Sequence, residues 1–116
     1  VVRELAERRA LEQAMENDSR EVETLGVRGL TIDPDVPLRF PGMPREGVLV
    51  VEVDPDTPAS ALNMSMGDVI LGIDNRSVRT VEELIAVMQR ADLSSGVRVE
   101  YVSRGRRQSA VVRLRG

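Results

Sequence analysis

Three residue types that carry much of biological chemistry are missing from this 116-residue chain. It has no histidine, no cysteine and no lysine, and all 16 basic residues are arginine. Ser-His-Asp and Cys-His catalysis both need an imidazole that titrates near neutral pH. A Ser-Lys dyad, a Schiff base and a phosphate-loop lysine are equally excluded, and zinc sites built on His or Cys cannot form. Carboxylates, hydroxyls and arginine are what remain. The chain by itself is therefore expected not to be an enzyme, and to hold no cofactor and no metal.

Aromatic residues are nearly absent too, with one Tyr, one Phe and no Trp. A 41% hydrophobic content is enough for a core, but Val, Leu, Ile and Met must fill it. Net charge is −3 and the pI is about 5.0, which argues against nucleic acid as a partner. No run approaches the roughly 18 apolar residues of a membrane span, so no membrane insertion is expected. The lack of cysteine fits reducing and oxidising compartments alike. The start at Val1, with no signal-peptide pattern, reads as a piece excised from a longer protein. At this length one domain with a short appendage is expected.

The appendage is residues 1–23, read as a charged helical linker. Val2, Leu5, Ala6, Leu11, Ala14 and Met15 recur at three-to-four spacing up to about residue 16, where Asn17-Asp18-Ser19 supplies a stop. The domain proper is residues 24–116. Five strands are expected, over 25–32, 47–53, 68–73, 97–103 and 107–115, each rich in Val, Ile and Leu. Pro34, Pro37, Pro41 and Pro44 make 34–46 a loop carrying Phe40. Asp74-Asn75 and Arg104-Gly105-Arg106 read as tight turns, the second joining the last two strands as a hairpin. Thr80 and Glu83 have capping-box spacing and open a helix whose apolar residues run from Leu84 to Ala91. Residues 59–62 form at most a short helix. Asp33-Pro34-Asp35 and Asp54-Pro55-Asp56 lack the ligand alternation of a calcium loop and read as turns. Arg104, Arg106 and Arg107, with Arg98 and Arg113, make the C-terminal hairpin basic, a solvated surface or a face for an acidic neighbouring domain.

The order of segments carries a resemblance. Thr24-Leu25-Gly26-Val27 is followed by Gly47-Val48-Leu49-Val50-Val51-Glu52-Val53, then Thr57-Pro58-Ala59, Gly67-Asp68-Val69-Ile70-Leu71 and Ile73-Asp74-Asn75. Together they resemble the PDZ domain of bacterial HtrA- and Deg-type (trypsin-like) serine proteases, over about residues 24–116. Asn63 stands where those domains have Gly, and Asp74-Asn75 where they have Asn-Gly; Asn keeps the left-handed conformation open at some cost. Gly67 and Asp68 read as structural residues of a turn.

The resemblance implies a mainly β fold with two helices, a PDZ-like partly open barrel or sandwich of circularly permuted bacterial topology, preceded by the N-terminal helix. It implies a carboxylate-binding loop at Thr24, Leu25, Gly26 and Val27, whose backbone amides converge on the free end of a bound chain. The peptide groove would be lined by Arg28, Gly29, Leu30, Val81, Ile85 and Met88, the ligand adding as a strand. Helix phase puts Val81, Ile85 and Met88 on one stripe and turns Leu84, Val87 and Ala91 towards the core. Val81 stands where PDZ domains selecting Ser or Thr carry His, so apolar residues are expected at the ligand's end and two before it. The implied partners are C-terminal peptides of unfolded or signal proteins and an attached protease domain serving protein quality control, in a periplasmic or extracytoplasmic setting. An alternative from another class is a structural or assembly module acting through domain contacts, its groove unused or self-occupied. A third is the PDZ domain of a C-terminal processing or intramembrane protease.

Overall fold

Val48-Leu49-Val50-Val51 is buried at all four positions, and alternate residues enter different clusters. Val48 and Val50 join the larger core with Val27, Ile70, Ile73, Leu84 and Val99, while Leu49 and Val51 join a smaller one with Leu30, Ile32, Val69 and Val102. Side chains of a strand point to opposite faces in turn, so a continuous apolar run marks a strand covered on both. This strand is the centre of the fold.

The computed structural model describes residues 19–32 and 44–113. Its strands are β1 (Arg20–Val22), β2 (Val27–Thr31), β3 (Val48–Val53), β4 (Val69–Ile73), β5 (Arg76–Ser77), β6 (Val97–Ser103) and β7 (Arg106–Val112). The helices are α1 (Pro58–Ala61) and α2 (Val81–Arg90). One antiparallel sheet runs in the order β1-β2-β3-β4-β6-β7, with β5 paired to β4. The mainly β architecture with two helices is the expected one.

The five expected strands correspond to β2, β3, β4, β6 and β7. Two more were not anticipated. β5 is two exposed residues after the Asp74-Asn75 turn, too short to leave a pattern. β1 falls inside the stretch assigned to the linker, so the sheet begins by Arg20 rather than at residue 24. The expected helix over 1–16, and the part of the proline-rich loop that holds Phe40, lie outside the described residues.

Turn chemistry follows the sequence closely. Asp74 and Asn75 take φ of 49° and 67°, and Arg104 and Gly105 take 54° and 77°, two consecutive left-handed residues in each tight turn. Asn63 sits at φ 59°, the conformation for which Gly is more usual. Asp68 is buried and accepts the Ser65 amide at 3.1 Å, a structural bond within its turn. At the head of α2, Thr80 Oγ1 accepts the Glu83 amide at 3.1 Å. The returning bond differs from a full capping box, because Glu83 Oε2 accepts from the Arg79 amide rather than from that of Thr80.

Candidate functional site

The turn Glu23-Thr24-Leu25-Gly26 joins β1 to β2, and its amides point at one atom. The Leu25 and Gly26 N–H groups both donate to the carbonyl oxygen of Val22, at 3.1 and 2.8 Å. The carbonyls of the same two residues face the other way. Leu25 O accepts from the Ala59 amide at 2.9 Å, and Gly26 O from the Asp54 amide at 2.8 Å. Thr57 completes the brace, donating its hydroxyl to Asp54 O at 2.8 Å and capping α1 through the Ser60 amide. The Thr57-Pro58-Ala59 segment thus fixes the orientation of the loop's peptide planes.

Gly26 is required on two counts. Its φ is +91°, and a Cβ there would lie 2.2 Å from the Thr57 side chain. Gly29 answers a different need, since a Cβ would meet Val48 Cγ1 at 2.5 Å and Val81 Cγ2 at 3.3 Å. Its bare backbone lets α2 lie close against β2. Val81 N–H then donates to Thr31 Oγ1 at 2.9 Å, tying the first turn of α2 to the far end of β2.

These two elements and the turn contribute Leu25, Val27, Val81, Leu84 and Met88 to the main apolar cluster, with Ile85 packed against it. The predicted residues divide as follows. Leu25, Gly26, Val27, Gly29, Val81 and Met88 are buried, Ile85 is half-buried, and Thr24 is exposed at the crest of the turn. Leu30 belongs to the smaller cluster, which holds no residue of α2, so its side chain does not line the groove as expected. Strand alternation sends it to the other face. Arg28 also points outward, half-buried in a cross-strand row between Glu21 of β1 and Glu52 of β3. On α2 the buried residues are Val81, Leu84 and Met88. Leu84 lies in the core as expected, but the division into a groove stripe and a core stripe is not sharp, because Val81 and Met88 are as buried as Leu84.

Val22, which the sequence reading does not single out, is buried with these residues. It is 1% exposed and sits in the same cluster as Leu25, Val27 and Met88. Its neighbours Glu21 and Glu23 disguise it, and only its alternation with them hints at a strand. Glu21 opposite Arg28 has its carboxyl pushed up to about 7, first by a hydrogen bond with Asp54, then by burial and the Asp54 charge; Arg28 opposes the shift and Glu52 adds to it.

Residues 10–114 match the family model for the PDZ domain. A probable periplasmic serine endoprotease, DegP-like, from Brucella suis biovar 1 (strain 1330) is 31% identical over 102 residues, covering 88% of this chain and 18% of that protein. The magnetosome formation protease MamE of Magnetospirillum gryphiswaldense is 39% identical over 59 residues, 51% of this chain and 8% of its own. The chain thus spans less than a fifth of the length of these relatives. Among solved structures, the HtrA3 PDZ domain bound to a phage-derived ligand (FGRWV) superposes with a TM-score of 0.60 at 22% identity, over 78% of this chain and 80% of that one. The HtrA-type protease AlgW with a decapeptide gives a TM-score of 0.63 at 24% identity, over 79% and 29% of the two chains. With a family match across nearly its whole length, and with relatives among DegP-like serine proteases, the chain belongs to the PDZ domain family.

Proposed function

We propose that this chain is the peptide-binding regulatory PDZ domain of an HtrA-type serine protease, recognising the C-terminal ends of other chains by strand addition. One observation carries the reading: the Leu25 and Gly26 amides converge on a single oxygen, that of Val22, whose side chain lies in the apolar cluster with Leu25, Val27, Val81 and Met88. Two amides aimed at one point suit a carboxylate, whose charge strengthens each bond. The binding loop is Thr24 to Val27, with Arg28 and Gly29 supplying backbone to an added strand and Val81, Ile85 and Met88 supplying the pocket wall. Leu30 contributes backbone only. The ligand is apolar at its end and does not present Ser or Thr two residues earlier, because Val81 offers no donor to a buried hydroxyl there. The FGRWV ligand of the HtrA3 domain ends in Val, the residue type that Val22 buries in the apolar cluster of this chain.

The bond-breaking chemistry belongs to an attached trypsin-like protease domain. The parent acts outside the cytoplasm in protein quality control, in keeping with the periplasmic DegP-like relatives.

Calorimetric titration with the pentapeptide FGRWV, as free acid and as C-terminal amide, tests the site. A charge-assisted bond to backbone is worth about 1.5–3 kcal/mol, so amidation is expected to weaken binding more than about tenfold. Equal binding of the two forms would replace terminal recognition by recognition of internal segments, and would remove the role given to the loop.

A further inference from the structure

The edge of β2 that an added peptide would use is already taken. β1 lies there, antiparallel to β2, with Arg20 opposite Gly29, Glu21 opposite Arg28 and Val22 opposite Val27. Its chain direction brings its last residue to the loop, as a ligand's C-terminus would arrive. Val22 places its carbonyl oxygen against the Leu25 and Gly26 amides and its side chain in the apolar cluster with Leu25, Val27 and Met88. Each function of a bound C-terminal residue is thus performed by Val22, save one. An internal residue has no carboxylate.

We propose that Arg20–Val22 is a resident ligand of the groove, and that an incoming C-terminus binds by displacing it; this rests on the peptide-binding reading given above. The energetics favour exchange in both senses. A segment joined to the loop by one short turn competes at an effective concentration in the millimolar range, so weak external peptides are excluded. Yet β1 has only three residues, and its single apolar side chain is flanked by Glu21 and Glu23. Its neutral carbonyl makes bonds about half as strong as those of a free carboxylate to the same amides. A true C-terminus therefore outcompetes β1, whereas an internal segment of the same sequence does not. The resident residues also indicate what an arriving peptide presents. It ends in a β-branched aliphatic, as the resident segment does at Val22.

The test uses the whole chain, which contains no cysteine to interfere. Residues 21 and 28 are direct cross-strand partners, within the spacing a disulfide spans. In Glu21→Cys/Arg28→Cys, oxidation locks β1 onto β2 and reduction frees it, so one protein serves as its own control. The probe is a synthetic peptide, Asn-Asp-Ser-Arg-Glu-Val, with a free C-terminus, followed by calorimetry and by amide shifts of Leu25 and Gly26. The expected result is binding to the reduced form and binding at least about tenfold weaker to the oxidised form. Val22→Asp, which would put a charge in the apolar cluster, is expected to release β1 and tighten the probe by about tenfold or more relative to the unaltered chain. If V22D does not fold, the disulfide pair decides the matter alone. Equal affinity of oxidised and reduced forms would overturn the resident-ligand inference while leaving peptide binding intact. No binding by any form, the released one included, would overturn both.

Discussion

Thr31 and Val81, fifty residues apart in sequence, are joined by a 2.9 Å bond from the Val81 amide to the Thr31 hydroxyl. The amides of a helix's first turn have no partner within the helix, and Val81 is buried beyond the reach of water. Thr31 supplies that partner from the end of β2. The bond fixes how far α2 stands from β2 at that end.

Replacing Thr31 by Val keeps the shape and removes the acceptor. The unpaired Val81 amide should lower stability by about 1–3 kcal/mol. Thermal unfolding gives the loss, and hydrogen exchange should rise specifically at Val81. An unchanged exchange rate at that amide would mean the bond has no role in seating α2.

Gly26→Ala should be among the most damaging single changes in the chain. It combines a left-handed φ of +91° with a Cβ placed 2.2 Å from Thr57. A loss of about 3 kcal/mol or more is expected from strain and overpacking together. Thr57→Gly removes the obstructing side chain, so the double variant should lose less than the sum of the singles. Simple additivity in urea unfolding would contradict the close approach described for these residues.

Ile85 and Leu84 are adjacent in α2 but should answer differently. Leu84 is completely buried, and Leu84→Ala should cost about 2–5 kcal/mol. Ile85 is half-buried at the margin of the apolar cluster, and Ile85→Glu should weaken peptide binding with little change in melting temperature. Unfolding of I85E would make Ile85 a core residue and remove it from the groove.

Occupancy of the groove by β1 should depend on pH through Glu21, which faces Asp54, Arg28 and Glu52. Its carboxyl titrates near 4.5 when free and near 7 in the folded chain, so the docked state binds the proton more tightly. The stabilisation from that proton is complete below about pH 4.5 and is lost as the pH rises through 7. β1 should therefore hold the groove best in mild acid, and affinity for FGRWV, which has no acidic side chain, should increase from pH 5 to pH 8. Glu21→Gln should flatten that dependence. A slope unchanged in E21Q would assign it to other groups.

Much of the architecture was legible because each piece depended on residues close together in the chain. The Asp74-Asn75 and Arg104-Gly105 turns, the Thr80 cap and the apolar runs of β3, β4 and β6 are each readable within about a dozen residues. Leu25-Gly26-Val27 is singled out in the sequence only by its place in a series of segments, since apolar-Gly-apolar alone marks no particular site. The side on which Leu30 lies was harder, because which face of β2 meets α2 is set by the packing of Val27 and Gly29 against distant residues and not by any local pattern.

What the sequence determined by itself is the chemistry that is unavailable and the order of strands and turns. A chain without His, Cys or Lys cannot assemble the common nucleophilic sites, and turn residues act on their own backbone. What the tertiary structure alone decided is that three residues of apparent linker form an edge strand, and that Val22 is buried in the main core. Pairing at a sheet edge depends on which strand is left exposed and what stands beside it. Arg20-Glu21-Val22 has no intrinsic claim to be a strand; it becomes one because β2 offers free backbone groups and α2 offers Val22 apolar neighbours.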